Sequence, residues 1–445
     1  MSQAPVKRYS GRLTLYFIIT TGAVLAAVII GRLEPLVAVA PFAAAILTAL
    51  FTEGAPRART RYEVTQGAVH ENEPVDVHIE VQPDADVGVL ELVDPLPAWA
   101  EVTTGSNRIV RPLYAGNGER FHYRVQFHRR ARLALGGLQQ RWHDASALVR
   151  WESTEAPRYE LTVRPLTTPI DHPVRPVRTQ VYMGNYPAPT IGEGLEIAEL
   201  RPHVPGDRLR SINWRASLRM GTLHVNEYAP ERNADIVLLL DTFADAGPPG
   251  ARLLDTATRI AASLADHFLA TRNRVGLIEL SGILKWVIPA SGHRQRYRLL
   301  ENLTDVAVRR SYVGQDLRTI PTRILPARAF IIAISGLIDA RFAFAAGDLH
   351  ARGFNVVLVA LDAAAAAEEA ERRHRRDTRG RLLSSAAASL WRLELDERLR
   401  SLQHAGVPVV PCAADTPPEL VARGIDSLRR ATAGAVAVAG RAGAA

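Results

Sequence analysis

The first sixty residues contain two long apolar runs separated by three residues. Nineteen uncharged residues follow Arg12, and eighteen more follow Glu34. Each run approaches the roughly 20 residues that an α-helix needs to cross about 30 Å of hydrocarbon. A secretory signal would instead show one apolar run followed by a small-residue cleavage site. The pattern therefore predicts two membrane-spanning helices within residues 1–56. The alternative is a buried helical hairpin of a soluble protein.

Basic residues on both flanks of the two runs predict their orientation. They are Lys7, Arg8 and Arg12 before the pair, and Arg57, Arg59 and Arg61 after it. Loops rich in Lys and Arg stay on the cytoplasmic side. We therefore expect a multi-pass protein of the inner, cytoplasmic membrane, with the bulk of the chain in the cytosol.

Residues 57–165 alternate between apolar and polar positions. Val75, Val77, Ile79 and Val81, for example, are separated by single polar residues. A period of two is typical of strands with one buried face, and turn-forming segments such as QPDADVG and AGNGE separate the strands. This stretch predicts a small antiparallel β-sandwich of immunoglobulin-like type.

From residue 234 onward, continuous apolar runs alternate with helical periodicity. DIVLLLD, FIIAIS and NVVLVAL are typical of strands covered on both faces. Between the first two of these, apolar residues recur at helical spacing, namely Leu253, Ala257, Ile260, Leu264 and Phe268. The order predicts a doubly wound α/β domain over 234–432. Residues 166–233 link it to the β domain, and the low-complexity tail 433–445 is predicted to be disordered.

Composition narrows the possible partners. The net charge of +8 comes from an excess of Arg. Such an excess indicates a nucleic-acid or anionic-lipid partner, or only the codon preference of a GC-rich genome. The Arg-rich stretch at 372–381 contains no aromatic residue, so we expect no nucleic-acid partner. The single Cys412 excludes an internal disulfide and a Cys-based metal cluster, and it fits a reducing compartment.

Catalytic motifs do not occur in a usable context. The chain shows no nucleophile elbow, His-Glu-x-x-His motif, P-loop or dinucleotide fingerprint, and its His residues lack metal-ligand spacing. Cys412 ends a predicted buried strand and is expected in the core. We therefore expect no enzymatic activity.

The end of the first predicted α/β strand carries Asp241, where the domain resembles the von Willebrand factor A family. That family's ion site begins with Asp-x-Ser-x-Ser, but here Phe243 and Asp245 replace the two serines. Where the family has a Thr, a loop here offers Gln315 or Asp316. Asp339 lies beyond the later strand at which a further Asp is expected. Because a Phe side chain cannot coordinate a hard cation, the resemblance predicts a degenerate site. We expect no cofactor, and Mg²⁺ on Asp241, Asp245 and Asp339 is the disfavoured alternative.

The segment 192–231 resembles the signature of the bacterial DUF58 family. The matching positions are Gly194, Glu196, Leu200, Arg201, Gly206, Asp207, Arg210, Ile212, Trp214, Ser217, Arg219, Leu223, Glu227 and Glu231. His203 replaces the usual Tyr. The order of membrane hairpin, β domain, signature and A-type domain is also that of the family.

The signature combines a turn with nearly balanced charges. Pro205-Gly206-Asp207 predicts the turn, TLHVNEY predicts a strand, and Ile212 and Trp214 are expected on one face between them. The expected interaction residues are Glu196, Arg201, Gly206, Asp207, Arg210, Trp214, Ser217, Arg219, Glu227 and Glu231. Arg–carboxylate pairs among them favour a structural brace between the domains. The alternative is an anion pocket formed by Arg201, Arg210 and Arg219.

The resemblance to DUF58 also implies partners. Proteins of that family are commonly encoded beside MoxR-type AAA+ ATPases and often beside transglutaminase-like membrane proteins. The implied role is a membrane-anchored adaptor in protein assembly or maturation, with the A-type domain as its docking face and the lipid bilayer around its helices. A metal-dependent binding module and an anion-binding enzyme that uses the Arg/Glu motif are the alternatives.

Overall fold

The chain divides into two compact units, Met1–Leu166 and Thr167–Ala445, called here the first and the second unit. The structure is a computed structural model that describes residues 5–51, 58–144, 146–172, 174, 196–207, 209–229, 234–248, 252–309, 324–326, 329–374 and 378–428. The predicted disordered tail and the loop containing Gln315 lie outside these residues.

The first unit consists of two helices followed by a set of short strands. Its elements are β1 (Val6–Tyr9), α1 (Gly11–Ile30), α2 (Glu34–Phe51), β2 (Ala58–Val64), β3 (Ala68–His70), β4 (Pro74–Pro83), β5 (Val87–Val93), β6 (Ala100–Thr104), β7 (Arg108–Leu113), β8 (Glu119–Phe127), β9 (Ala131–Leu135), β10 (Gln139–His143), β11 (Val149–Thr154) and β12 (Tyr159–Arg164). They form sheets of order β1-β11-β10-β5-β7, β2-β4-β8-β6 and β3-β12-β9. Neighbouring strands are antiparallel except β3 and β12.

Helices α1 and α2 are long and apolar enough to cross a membrane by length and composition. In the most apolar 18-residue stretch of each helix, only 11% and 17% of the residues are buried. The helices contact each other through Tyr16 and Phe42, whose rings meet edge to face at 5.0 Å. Leu13, Ile46 and Ala49 join the apolar core of the strands. The two apolar runs are therefore a helical hairpin that leaves most of its own side chains uncovered.

Strand β1 precedes the hairpin and was not predicted, because residues 1–56 were interpreted as helices alone. It pairs antiparallel with β11, from Val6 opposite Glu152 to Tyr9 opposite Val149. Four residues are too few to show a period of two, and the pairing partner lies far along the chain. The N-terminal segment therefore contributes to the β sheets as well as to the hairpin.

A buried carboxylate just after β5 is bound by tyrosines of β2 and β8. Asp94 is fully buried, and one of its oxygens accepts hydrogen bonds from the hydroxyls of Tyr62 and Tyr123 at 2.7 and 2.6 Å. Burial raises the pKa of Asp94, and the two hydroxyls act against that rise. The same burial, with the Asp94 charge, raises the pKa of both tyrosines, so both stay donors.

Replacing Tyr123 with Phe should lower the free energy of unfolding of the first unit by about 1–2 kcal/mol, since Asp94 loses one of its two donors. Hydrogen exchange of β4 and β8 amides in denaturant measures this change. Tyr114→Phe is the matched control, because that side chain is 61% exposed. Equal effects of the two substitutions would contradict the role of Tyr123.

The described elements of the second unit are a β-hairpin followed by an α/β domain. Its elements are β13 (Glu196–Pro202), a 3-10 turn (Leu209–Ser211), α3 (Trp214–Met220), β14 (His224–Ala229), β15 (Asp235–Asp241), α4 (Leu253–Ala270), β16 (Arg274–Leu280), β17 (Lys285–Ala290), α5 (His293–Thr304), β18 (Phe330–Ser335), α6 (Ala340–Ala351), β19 (Asn355–Leu361), α7 (Ala363–His374), α8 (Thr378–His404) and β20 (Val409–Cys412). Residues 418–428 are helical as well.

The α/β domain is built on a six-stranded sheet of order β17-β16-β15-β18-β19-β20. All neighbours are parallel except β17, which runs antiparallel to β16. Every residue of β15 and β18 is buried, as continuous apolar runs predict. The chain leaves β15 toward β16 and leaves β18 toward β19, so the order reverses between β15 and β18. Ligands of such sheets bind at the carboxyl ends of the strands beside that reversal.

Candidate functional site

Within the DUF58-like signature, a compact turn directly follows β13. The Arg201 guanidinium donates two hydrogen bonds to the Asp207 carboxylate at 2.8 and 2.7 Å. The same carboxylate accepts the Val204 amide at 2.8 Å, and Gly206 has a φ of +108°. Arg201, with the Val204 amide, lowers the pKa of Asp207 to about 2. The predicted turn is confirmed, and Arg201 and Asp207 hold it closed.

Helix α3 is fastened to β14 by a few polar contacts. The Asn213 side chain caps the helix by accepting the Ala216 amide at 3.0 Å. The Ser217 hydroxyl donates to the Asn213 carbonyl at 2.8 Å and accepts the His224 amide at 2.9 Å. Ser217 is therefore a structural residue of the signature.

The prediction that Ile212 and Trp214 share one face is wrong. Ile212 is 7% exposed and pairs with Val225 of β14, whereas Trp214 opens α3 and is 62% exposed. The 3-10 turn ends at Ser211, Ile212 pairs with the strand, and the helix begins at Trp214, so the two side chains belong to different local conformations. Arg219 is exposed too, with no ion pair to another described residue.

Other signature positions lie outside the described residues. This holds for Glu231 and for the side chains of Glu196, Arg210 and Glu227. The brace between domains and the anion pocket therefore stay predictions, and Arg201–Asp207 is the pair that the structure shows.

A second polar cluster lies at the carboxyl ends of β15 and β18. Asp241 ends β15 and is 7% exposed. One of its oxygens accepts the Phe243 amide at 3.0 Å, and the other accepts the Ser335 hydroxyl at 2.5 Å. Ser335 ends β18, and its oxygen also accepts the amide of Leu337 at 2.8 Å. Burial raises the pKa of Asp241 to about 7, although Ser335 and the Phe243 amide act against that rise.

An arginine occupies the outer side of this cluster. Asp339 caps α6 and binds the Arg341 guanidinium through both oxygens, at 2.9 and 2.7 Å. The Arg341 guanidinium carbon lies 4.3 Å from the centre of the Phe243 ring. Arg341 lowers the pKa of Asp339. Arg341 was not predicted from the sequence. The signal that could have identified it is an Asp two positions before an Arg at the start of a predicted helix.

The third acidic candidate, Asp245, serves the start of α4. It accepts the Leu254 amide at 3.1 Å, and the Arg252 guanidinium lies 3.6 Å from its other oxygen. From α8, Arg398 donates to the carbonyls of Leu337 and Ile338. The carboxylates of Asp241, Asp245 and Asp339 are thus bound by backbone amides, a hydroxyl or arginine. Arg398 binds the loop that connects β18 and α6.

The described residues do not fit the cation site of the family that the domain resembles. No group of three His, Cys, Asp or Glu side chains in the described part of the chain is placed to hold a metal. Phe243 offers no oxygen ligand, and Arg341 puts a positive charge beside Asp339. The Gln315 loop lies outside the described residues.

Cys412 ends β20 with 3% of its surface exposed. Burial raises the pKa of its thiol to about 11. A thiol that stays protonated at neutral pH is a poor nucleophile.

Comparisons with known proteins support one part of the sequence interpretation. Residues 199–370 match the family described as "Protein of unknown function DUF58". These residues run from the signature hairpin into α7, and they support the DUF58 resemblance there. No curated protein matches the chain. Among solved structures, the non-cellulosomal cohesin from the hyperthermophilic archaeon Archaeoglobus fulgidus is 16% identical, covering 24% of this chain and 92% of that one with a TM-score of 0.16. A TM-score this low supports no conclusion.

Proposed function

We propose that this chain is a membrane-anchored, non-enzymatic adaptor whose α/β domain docks a protein partner. The DUF58 resemblance implies the class of partner, a MoxR-type AAA+ ATPase. This partner would supply ATP hydrolysis during protein assembly or maturation. Transglutaminase-like membrane proteins are further partners of the same origin. Under this proposal the α/β domain is von Willebrand factor A-like and the strands of the first unit are an immunoglobulin-like sandwich.

The anchor is the helical hairpin of α1 and α2. Its apolar side chains are largely exposed, which is unfavourable in water and favourable in lipid. Basic residues on both flanks support a multi-pass arrangement in the inner membrane with the bulk of the chain in the cytosol.

The observation that carries the docking role is the surface of α6 at the carboxyl edge of the sheet. Arg341 lies over the Phe243 ring, and Phe344 is 76% exposed. Residues three apart on a helix lie on the same side, so Arg341 and Phe344 present one continuous surface. Arginine and aromatic residues supply much of the binding energy at protein interfaces. The place where this fold binds its ligands thus carries residues suited to a protein.

The polar cluster beneath this surface supports the non-enzymatic part of the proposal. Both oxygens of Asp241 are engaged, and Asp339 is held by Arg341, so neither carboxylate is open to a substrate. Calorimetric titration with Mg²⁺ tests the metal-dependent alternative. Micromolar binding that is lost in Asp241→Ala would overturn the metal-free proposal.

Affinity capture of the detergent-solubilised full chain, with and without ATP, tests the adaptor role. We expect an AAA+ ATPase in at least one nucleotide state. Phe344→Asp should reduce its recovery at least tenfold, because a charge replaces an exposed apolar contact. Leu420→Asp is the matched control, since Leu420 is 54% exposed on the helix 418–428. Absence of an AAA+ partner in both states, or equal losses in both variants, would contradict the proposal.

A further inference from the structure

We propose that the outer surface of the signature hairpin docks on anionic lipid headgroups at the face of the bilayer. This surface, called the hairpin face, comprises the exposed side chains of Leu209, Trp214, Arg215, Leu218 and Arg219. The proposal goes beyond the adaptor role. It rests only on the membrane anchor within the proposed function.

The apolar part of the hairpin face is large for so short a segment. Leu209 is 75% exposed, Trp214 62% and Leu218 85%. Trp214 and Leu218 are four residues apart on α3 and therefore form one ridge along it. Met220 and Leu223, close by in the sequence, are also exposed, at 58% and 46%. Several large apolar side chains exposed within so short a segment mark a candidate binding site.

Ser217 marks the side of α3 that packs on the hairpin. Ser217 is 7% exposed and bonds to the backbone of Asn213 and His224, which fixes the rotation of the helix. Leu218 follows Ser217 directly and is therefore turned by about 100° away from the packed side of the helix. Trp214 lies nearer to that side, and 62% of its surface is still exposed.

A basic ridge runs beside the apolar one. Arg215 and Arg219 are exposed and also lie four residues apart on α3. Residues 207–220 carry four arginines and one carboxylate, Asp207, which is bound by Arg201. The hairpin face therefore attracts anions.

This combination favours a bilayer surface over a protein groove. Tryptophan and leucine beside arginine are the residues of interfacial helices, where the rings enter the headgroup region and the guanidinium groups meet lipid phosphates. A helix of seven residues would bind lipid weakly by itself. The apolar helices of the same chain would tether it, so that docking becomes intramolecular and a weak contact suffices.

The test uses the full chain in nanodiscs with a probe at position 218. In a Cys412→Ser background, Leu218→Cys is labelled with a bimane fluorophore, and the bilayer contains a headgroup spin-labelled lipid as quencher. Nanodiscs of phosphatidylcholine alone are compared with nanodiscs containing phosphatidylglycerol. Leu420→Cys, labelled in the same way, is the matched control.

We expect quenching at position 218 to be at least threefold stronger in the phosphatidylglycerol bilayer, and to fall to the control value in Arg215→Glu/Arg219→Glu. Equal quenching at positions 218 and 420 would overturn the proposal. So would protection of position 218 by an added protein partner without any quenching by lipid. If the chain does not float with the bilayers at all, the anchor fails together with this inference; if it floats without quenching, only the inference fails.

Discussion

Asp241→Asn should stabilise the second unit by roughly 3 kcal/mol at pH 8 and leave its stability nearly unchanged at pH 4. The Asp241 carboxyl has a pKa of about 7 in the folded chain, against about 3.9 for an unfolded one. Between these values the folded state holds a proton that the unfolded state has lost. Stability of the wild type therefore falls as the pH rises from about 4 to about 7, by up to roughly 4 kcal/mol. Asparagine keeps the acceptor for the Phe243 amide and carries no charge to bury.

The measurement is hydrogen exchange of β15 and β18 amides in urea. The two proteins are compared at each pH, so that the contributions of all other titrating groups to stability cancel in the difference. Asp362→Asn is the control. Asp362 follows the neighbouring strand β19, accepts the Ala365 amide at 2.9 Å and is exposed. Asp362→Asn should change the exchange of these amides far less than Asp241→Asn does, because the Asp362 side chain is exposed. A pH-independent difference between wild type and Asp241→Asn would contradict the raised pKa.

Ser335→Ala should destabilise the second unit by about 3 kcal/mol at pH 8 and by clearly less at pH 5. The lost hydroxyl donates to Asp241, and hydrogen bonds to a charged group contribute about 1.5–3 kcal/mol. It also accepts the amide of Leu337, which has a φ of +55° and depends on that contact to hold a conformation rare for a side-chain-bearing residue. Because Ser335 stabilises the ionised form of Asp241, its loss should also raise the pKa of that carboxyl further.

Ser281→Ala is the matched control for this substitution. Ser281 is 1% exposed just after β16, and its hydroxyl donates to the Ile283 carbonyl and accepts the Ile283 amide. It contacts no carboxylate in those bonds, so its loss should cost about 1–2 kcal/mol at every pH. In an Asp241→Asn background, the pH dependence of Ser335→Ala should disappear. Persistence of that dependence would show that the two side chains do not act together.

The main elements of the fold followed from local patterns. Val75 to Val81 alternate in burial as the sequence alternates in polarity, and the continuous apolar runs became the central strands β15 and β18. Such patterns depend on how many faces of a strand or helix are covered. A short stretch of sequence contains that information. Strand β1 escaped prediction because four residues carry no usable period.

The candidate site was harder to predict because its contacts join distant segments. The strand ending at Asp241 was predicted, but its bond to Ser335 spans 94 positions and depends on β15 lying beside β18. The stacking of Arg341 on Phe243 depends on the same adjacency. The exposed position of Trp214 depends on where α3 begins after the bridge at Ile212, which so short a segment of sequence does not reveal.

The pairing of β1 with β11 also constrains how the chain is made. Tyr9 leaves the ribosome before the hairpin, whereas its partner Val149 follows about 140 residues later, which at typical rates of synthesis is roughly 7 to 30 s. During this interval α1 and α2 are complete and β1 has no strand to join. Under the proposed membrane anchor, insertion of the hairpin would precede completion of the sheet. Since β1 and β2 both belong to the sheets of the first unit, the N-terminus would then stay on the same side of the membrane as the strands still being synthesised.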